Sequence, residues 1–454
     1  MSDVKKIKRG VDIKLVGEAD KEFAPDKTAK TIAVKPVDFH GARLKPTVKE
    51  GDEVKAGTPL LYNKDFEEVK FCSTVSGEVA QVVRGAKRRL LEIRVLADEQ
   101  IEYEDFGAAD PNSLEREAVV EKMAASGCWP FLKQRPYNVI ADPEKTPKAI
   151  FISGFDSAPL APDMSLLLEG QEKEFQAGIN ALKKLTDGKI HLGLSSRETP
   201  SPVLTNAEGV TITKYDGPHP AGVVGVQIAQ VDPINRGETV WTVNPEHVVI
   251  IGRLFLEGKF DARIKIAVTG SEVKDRKYHN TMIGAPVSNF TEGNITEGNN
   301  RIISGNVLTG TKLDKEGYLS MYERQVTVIP EGDEPELFGW LIPKTDKFSI
   351  SRTLPSWIQR KFGGKKYELD TNTHGERRAF VVSGEYEQVF PFDIYPVQLL
   401  KAVITNDIER MEQLGIYEVV EEDMALCEVV CTSKMPVQSM LRDGLDLMRK
   451  ELGE

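Results

Sequence analysis

Residues 48–83 read VKEGDEVKAGTPLLYNKDFEEVKFCSTVSGEVAQVV. Short alternating apolar stretches broken by Gly, Asp and Pro predict a small β-sandwich, because period-two burial and turn residues define half-buried strands. The pattern is that of the domains that carry biotin or lipoate on a hairpin lysine. The predicted hairpin tip here is Asp65-Phe66-Glu67-Glu68, with Lys64 and Lys70 beside it rather than at the turn. The sandwich is therefore expected to be scaffold. It extends over residues 31–98, with strands expected at Thr31–Val34, Val69–Cys72, Glu78–Val83 and Leu90–Val95.

Working outward, 454 residues exceed what one core organises, so several domains are expected. A net charge of -11 argues against general affinity for nucleic acid or anionic lipid. The cluster Arg84, Lys87, Arg88 and Arg89 reads as a solvated strand end. The N-terminal stretch MSDVKKIKRGVDIKLVGEAD lacks a secretory apolar region, and runs such as Val248–Ile251 are far shorter than a membrane span. Cys72, Cys128, Cys427 and Cys431 are too few and scattered for a disulfide framework, which favours a cytoplasmic location.

A helix is expected over Ser113–Ser126, with Leu114, Val119, Val120 and Met123 on one face. The stretch WPFLKQRPYNVI, 129–140, has no period and reads as a loop or short edge strand. From Lys148 the chain predicts a βαβ unit. AIFISG, 149–154, is a buried strand, a helix follows on Met164, Leu167, Leu168, Phe175, Ile179 and Leu182, and KIHLGLSS is the next strand. Gly- and Asn-closed strands after Arg263 predict a compact β or α+β module. The C-terminal region reads as helical, with Val397, Leu400, Ile404, Ile408 and Met411 on one face and Val437, Met440, Leu441, Leu445 and Met448 on another.

The chemistry is sparse. The βα turn SGFDSAPLAPD has one glycine and two acids, Asp156 and Asp163, where a dinucleotide site needs G-x-G-x-x-G and no repulsion of pyrophosphate. Cys427 and Cys431, four residues apart, are expected to share a helix face as core residues, since an iron–sulfur centre needs more ligands. His219, between two prolines in GPHPAG, reads as a structural turn.

Together these pieces resemble the A subunits of the sodium-translocating NADH:quinone oxidoreductases. More distantly they resemble the C subunits of Rnf complexes and the flavin-binding subunit of respiratory complex I. The resemblance rests on the order and spacing of VKEGDEVKAG, SGEVAQVVRGAKRRLLEI, SGCWPFLKQRPY, GPHPAG, RIISGNVLTGTK, ELFGW with KFSISRT, and EEDMALCEVVCTSK. One departure is VVGVQIAQVDPIN after GPHPAG, where the family usually has a histidine-containing stretch.

The resemblance implies an α/β and β multi-domain chain. Its expected parts are a barrel-sandwich hybrid (1–110), a helical linker (111–147), a degenerate nucleotide-type, Rossmann-like α/β domain (148–256), a β-grasp-like SLBB-type module (257–335) and a C-terminal region ending in a helical domain (336–454). It also implies a peripheral position on the cytoplasmic face of a bacterial inner membrane, docked on the membrane-embedded B subunit of the complex. Such a chain binds no redox cofactor tightly; flavins, iron–sulfur centres and NADH belong to other subunits. Quinone contact is expected at Phe39, His40, Gly41, Trp129, Phe131, Arg135 and Tyr137, with no catalytic residue and no metal ligand. The alternative is a purely structural coupling platform.

Overall fold

The computed structural model describes residues 4–333, 347–350, 356–362 and 364–453. The quoted stretch forms the expected sandwich. One sheet orders Thr31–Val34, Leu90–Ala97, Gly77–Arg84 and Glu53–Val54; the other orders Leu44–Pro46, Pro59–Asn63 and Lys70–Cys72. The strand side chains Leu61, Phe71, Val79 and Ile93 are solvent-free, on the inward positions of period-two alternation, and Leu60, at a register irregularity, and Val69, just before its strand, are buried with them. Residues 64–69 make the hairpin tip, and Lys70 folds back, its ammonium 5.4 Å from the Tyr62 ring centre. The 84–89 cluster caps a strand end, and all four cations are exposed.

The second unit is a seven-stranded sheet ordered Val4–Lys6, Thr211–Asp216, Lys189–Ser195, Ala149–Ser153, Val240–Thr242, Lys133–Arg135 and Val139–Ile140. The first five run parallel; the last two form an antiparallel hairpin on the edge. Two groupings expected from sequence change here. Val4–Lys6, placed with the sandwich, pairs with Thr211–Asp216, and Ile7, Val11, Ile13 and Leu15 join the core of the C-terminal region. Residues 133–140, placed in a helical linker, extend the α/β sheet. Only the helix Arg116–Ser126 matches the linker, and it buries Val119 and Met123 as expected.

The helix anticipated after Asp163 is two helices, Met164–Leu168 and Glu172–Lys183. Gly170, at φ 76°, lies between them, in the left-handed region that favours glycine. Glu172–Lys183 packs against Pro245–Glu257 with the backbones nearly touching. A Cβ on Gly178 would lie 2.1 Å from the Val248 carbonyl oxygen, and one on Gly252 would be 1.7 Å from that of Glu174.

The third unit is a five-stranded sheet ordered Tyr278–Met282, Arg263–Thr269, Gln325–Pro330, Asn300–Ser304 and Thr311–Leu313, parallel only at its second pair. From Tyr386 onward the described chain forms a run of short helices ending in Val437–Leu452, which buries all five residues predicted for its inner face. The other predicted face is broken. Helices Pro396–Ile404 and Ile408–Gln413 are separate, and Ile404 is half exposed, because Asp407 caps the second helix by accepting from the Arg410 N–H. ELFGW, the last three residues of the following motif KFSISRT and the 335/336 boundary lie outside the described residues.

Candidate functional site

A polar cleft of about 180 Å³ opens at the carboxyl ends of Ala149–Ser153 and Val240–Thr242. These are neighbours where the strand order reverses, the place at which open parallel sheets bind ligands. Three units close around it: Ser153, His219, Thr242 and Asn244 come from the α/β domain, Tyr322, Glu323 and Arg324 from the β module, and Glu422 from the C-terminal region.

The side that would cradle phosphate is occupied by the protein's own groups. The Ser157 hydroxyl accepts from the Gly222 N–H at 2.8 Å and meets His219 Nδ1 at 3.0 Å. Asp156, in that turn, pairs with Arg324 at 3.2 Å, and Arg324 reaches Glu246 at 3.4 Å. The other acid, Asp163, caps Met164–Leu168 and pairs with Lys21. His219 is thus a buried turn residue, its pKa lowered by burial despite the nearby Asp156 and Asp12.

Across the cleft stands the edge hairpin. Phe131 stacks on His247, ring centres 4.2 Å apart, and burial pushes His247 down to about 3. Lys133 places its ammonium 3.7 Å from the Tyr322 ring centre, a cation–π contact. Tyr322 in turn donates to the Pro130 carbonyl at 2.8 Å. Burial lowers the Lys133 pKa, while Glu422, Glu421, Glu323 and Asp38 pull it back up. Glu323 is pushed up to about 7 by burial, against the attraction of Arg324 and Lys133. Arg135, fully buried, donates to Asp423 at 2.9 Å and also pairs with Glu422. Burial raises the Asp423 carboxyl against the pull of that guanidinium.

Of the seven positions expected to meet quinone, Phe131 and Arg135 line this cleft. Trp129 is a core residue, donating to the Ala141 carbonyl at 2.8 Å with its ring edge-on to Trp241. Phe39 packs edge-on against Phe71, and Tyr137 is buried in the C-terminal core. His40 and Gly41 meet the last helix, through Asp446 at 2.8 Å and Arg449 at 3.1 Å respectively. Lys133, Tyr322, Glu323 and Arg324 were not legible as site residues. Lys133 stands inside a singled-out stretch, but nothing local marks it as facing a cleft. Cys427 and Cys431 are both buried; Cys427 is on the helix Ala425–Val430, whereas Cys431 caps it in extended geometry, so they do not share a helix face. Among the described residues no group of three or more His, Cys, Asp or Glu is arranged to hold a metal ion, and no helix is long and apolar enough to cross a membrane.

A carrier-type sandwich is joined here to a Rossmann-like sheet whose βα turn is filled by the chain's own groups, and to a five-stranded module: a multi-domain α/β and β chain. Family comparison narrows this. Residues 5–98 match the NqrA N-terminal barrel-sandwich hybrid domain, residues 114–260 the NqrA second alpha/beta domain, and residues 265–315 the NQRA C-terminal domain. The A subunit of the Na(+)-translocating NADH-quinone reductase of Yersinia pestis bv. Antiqua (strain Angola) is 37% identical over 98% of this chain and 99% of its own. Its counterpart from Marinomonas sp. (strain MWYL1) is 35% identical, and that from Vibrio alginolyticus 36%, with the same two coverages. The chain belongs to the NqrA family, the A subunits of Na(+)-translocating NADH-quinone reductases.

Proposed function

We propose that this chain is the peripheral, cofactor-free component at the quinone end of a sodium-pumping NADH:quinone oxidoreductase. The observation that carries this reading is end-to-end likeness to the A subunits, over 98% of this chain and 99% of the relative. The chain sits on the membrane-embedded B subunit of the complex, facing the cytoplasm. It is inactive alone, and leaves flavins, iron–sulfur centres and NADH to its partners. Its own contribution to quinone is the cleft beside Phe131. There Phe131 and Tyr322 offer aromatic walls, and the Lys133 ammonium and Arg135 guanidinium are donors of the kind a quinone carbonyl accepts.

A second reading, a coupling platform that touches no substrate, is favoured by the burial of Phe39, Trp129 and Tyr137 as packing residues. Titrating the full chain with a short-chain quinone separates the two. Tryptophan fluorescence arises from four residues, of which Trp129 and Trp241 stand with ring centres 5.5 Å apart. Saturable quenching that weakens in Lys133→Met, with Trp129→Phe assigning the reporter, supports the cleft. Absence of saturable binding, with activity restored on adding the membrane subunits, supports the platform.

A further inference from the structure

Six charged side chains line the cleft: Lys133, Arg135, Asp156, Glu323, Arg324 and Glu422. Four of them are paired, Arg324 with Asp156 and Arg135 with Glu422. Lys133 and Glu323 are the other two, and among the described residues neither side chain has a hydrogen-bond or ion-pair partner. They come from different domains, Lys133 from the edge hairpin of the α/β sheet and Glu323 from the stretch before Gln325–Pro330 in the β module. Each is held by something other than a countercharge. The Lys133 ammonium sits 3.7 Å from the Tyr322 ring centre. The Glu323 carboxyl fills space that Gly305 leaves, since a Cβ there would lie 2.5 Å from Oε2. Opposite charges sharing a half-buried cleft gain by closing into a pair. These two stand apart instead, leaving one acid and one cation open to the same space of about 180 Å³.

We infer that Glu323 is the proton donor to a quinone held in this cleft, with the Lys133 ammonium serving the opposite carbonyl. The inference rests on the quinone reading above and adds to it the residues that supply protons. NADH, through the partner subunits, supplies the two electrons. One quinone oxygen takes the proton of the Glu323 carboxyl and the other takes a proton from Lys133. Two O–H bonds thus form in the quinol while one O–H and one N–H bond break, and the carboxylate and amine left behind regain their protons from solvent. Burial raises Glu323 to about 7, so at neutral pH the acid form is present to donate. Arg324 and Lys133 favour the carboxylate that remains, whereas Asp156 and Asp38 oppose it. Burial makes Lys133 a stronger acid than a free lysine, while Glu422, Glu421, Glu323 and Asp38 favour its charged form. The two histidines lining the cleft are poorer donors. Burial pushes His247 down to about 3, and His219 is lowered by burial and bound to Ser157.

The test uses the assembled complex carrying variants of this chain, with NADH-driven reduction of a short-chain quinone followed as a function of pH. The parent kcat should fall as pH rises through about 7, where Glu323 loses its proton. Glu323→Gln should lower kcat on the order of a hundredfold at neutral pH and abolish that limb, with KM changed less than about threefold. Glu323→Asp should keep the limb and recover part of kcat. In parallel, tryptophan quenching of the full chain by the same quinone reads binding without turnover. Parent and Glu323→Gln chains should bind alike, with circular dichroism unchanged. Quinone bound by both chains, with kcat and the pH limb intact in Glu323→Gln, overturns this inference and leaves the quinone reading standing. Absence of saturable binding to the parent chain overturns the quinone reading, and this inference with it. Loss of binding rather than of kcat in Glu323→Gln makes Glu323 a holding group and overturns proton donation.

Discussion

Arg135, on the edge hairpin of the α/β sheet, donates through Nη1 to the Asp423 carboxylate at 2.9 Å, joining residues 288 positions apart. Neither side chain reaches solvent, and Asp423 also accepts from the Val420 N–H at 2.8 Å. The pair fastens the C-terminal helical region to the domain that forms the cleft floor. Gly225 packs over it, since a Cβ there would lie 2.1 Å from Asp423 Oδ1.

Removing one member of such a pair strands the other. Arg135→Met should cost about 3–5 kcal/mol by urea denaturation, because Asp423 is left buried without its countercharge. Arg135→Met combined with Asp423→Leu should recover a large part of that loss. A double variant as unstable as the single one would show that packing, not charge, dominates.

Acid–base linkage gives two slopes of opposite sign. Glu323 titrates near 4.5 unfolded and about 7 folded, so the native state holds more protons in that window and stability falls as pH rises through it. His247 titrates near 6.5 unfolded and about 3 folded, so the unfolded state holds more protons and stability rises with pH between those values. Glu323→Gln removes only the first slope. Relative to the parent it should therefore gain about 3 kcal/mol on going from pH 4.5 to above 7, read from urea midpoints at several pH values.

The crossing of Glu172–Lys183 and Pro245–Glu257 depends on two glycines facing backbone. Gly252→Ala improves intrinsic helix propensity yet should lower stability by about 3 kcal/mol, because the new methyl meets the rigid Glu174 carbonyl. An alanine at exposed Gly237, where a Cβ meets nothing within 4 Å but φ is 80°, should cost only about 1 kcal/mol.

The carrier-type sandwich should emerge from expression unmodified. Lys70 lies back against Tyr62, and its ammonium donates to the Glu67 carbonyl. Intact-mass spectrometry of chain co-expressed with a biotin ligase should give the unmodified sequence mass; a discrete biotin increment would refute this.

The sandwich, the βαβ opening and the last helix were legible in sequence because each is written in neighbours. Period-two strands, Gly and Asp turns and i, i+3, i+4 faces involve residues close along the chain, as with the five buried positions of Val437–Leu452. The family was legible for the same reason: its motifs are local strings in a fixed order.

Tertiary structure alone decided the rest. It gave Val4–Lys6 a partner at Thr211–Asp216 and turned the unpatterned stretch 129–140 into a sheet edge. It also sent Phe39, Trp129 and Tyr137 into cores while leaving Phe131 and Arg135 at the cleft. An aromatic side chain beside a proline reads the same whether it packs or binds; which it does depends on the surface that folds against it. Glu323 acquires its raised pKa, and Arg135 its partner, only when segments far apart in sequence exclude water together, and no local pattern encodes that meeting.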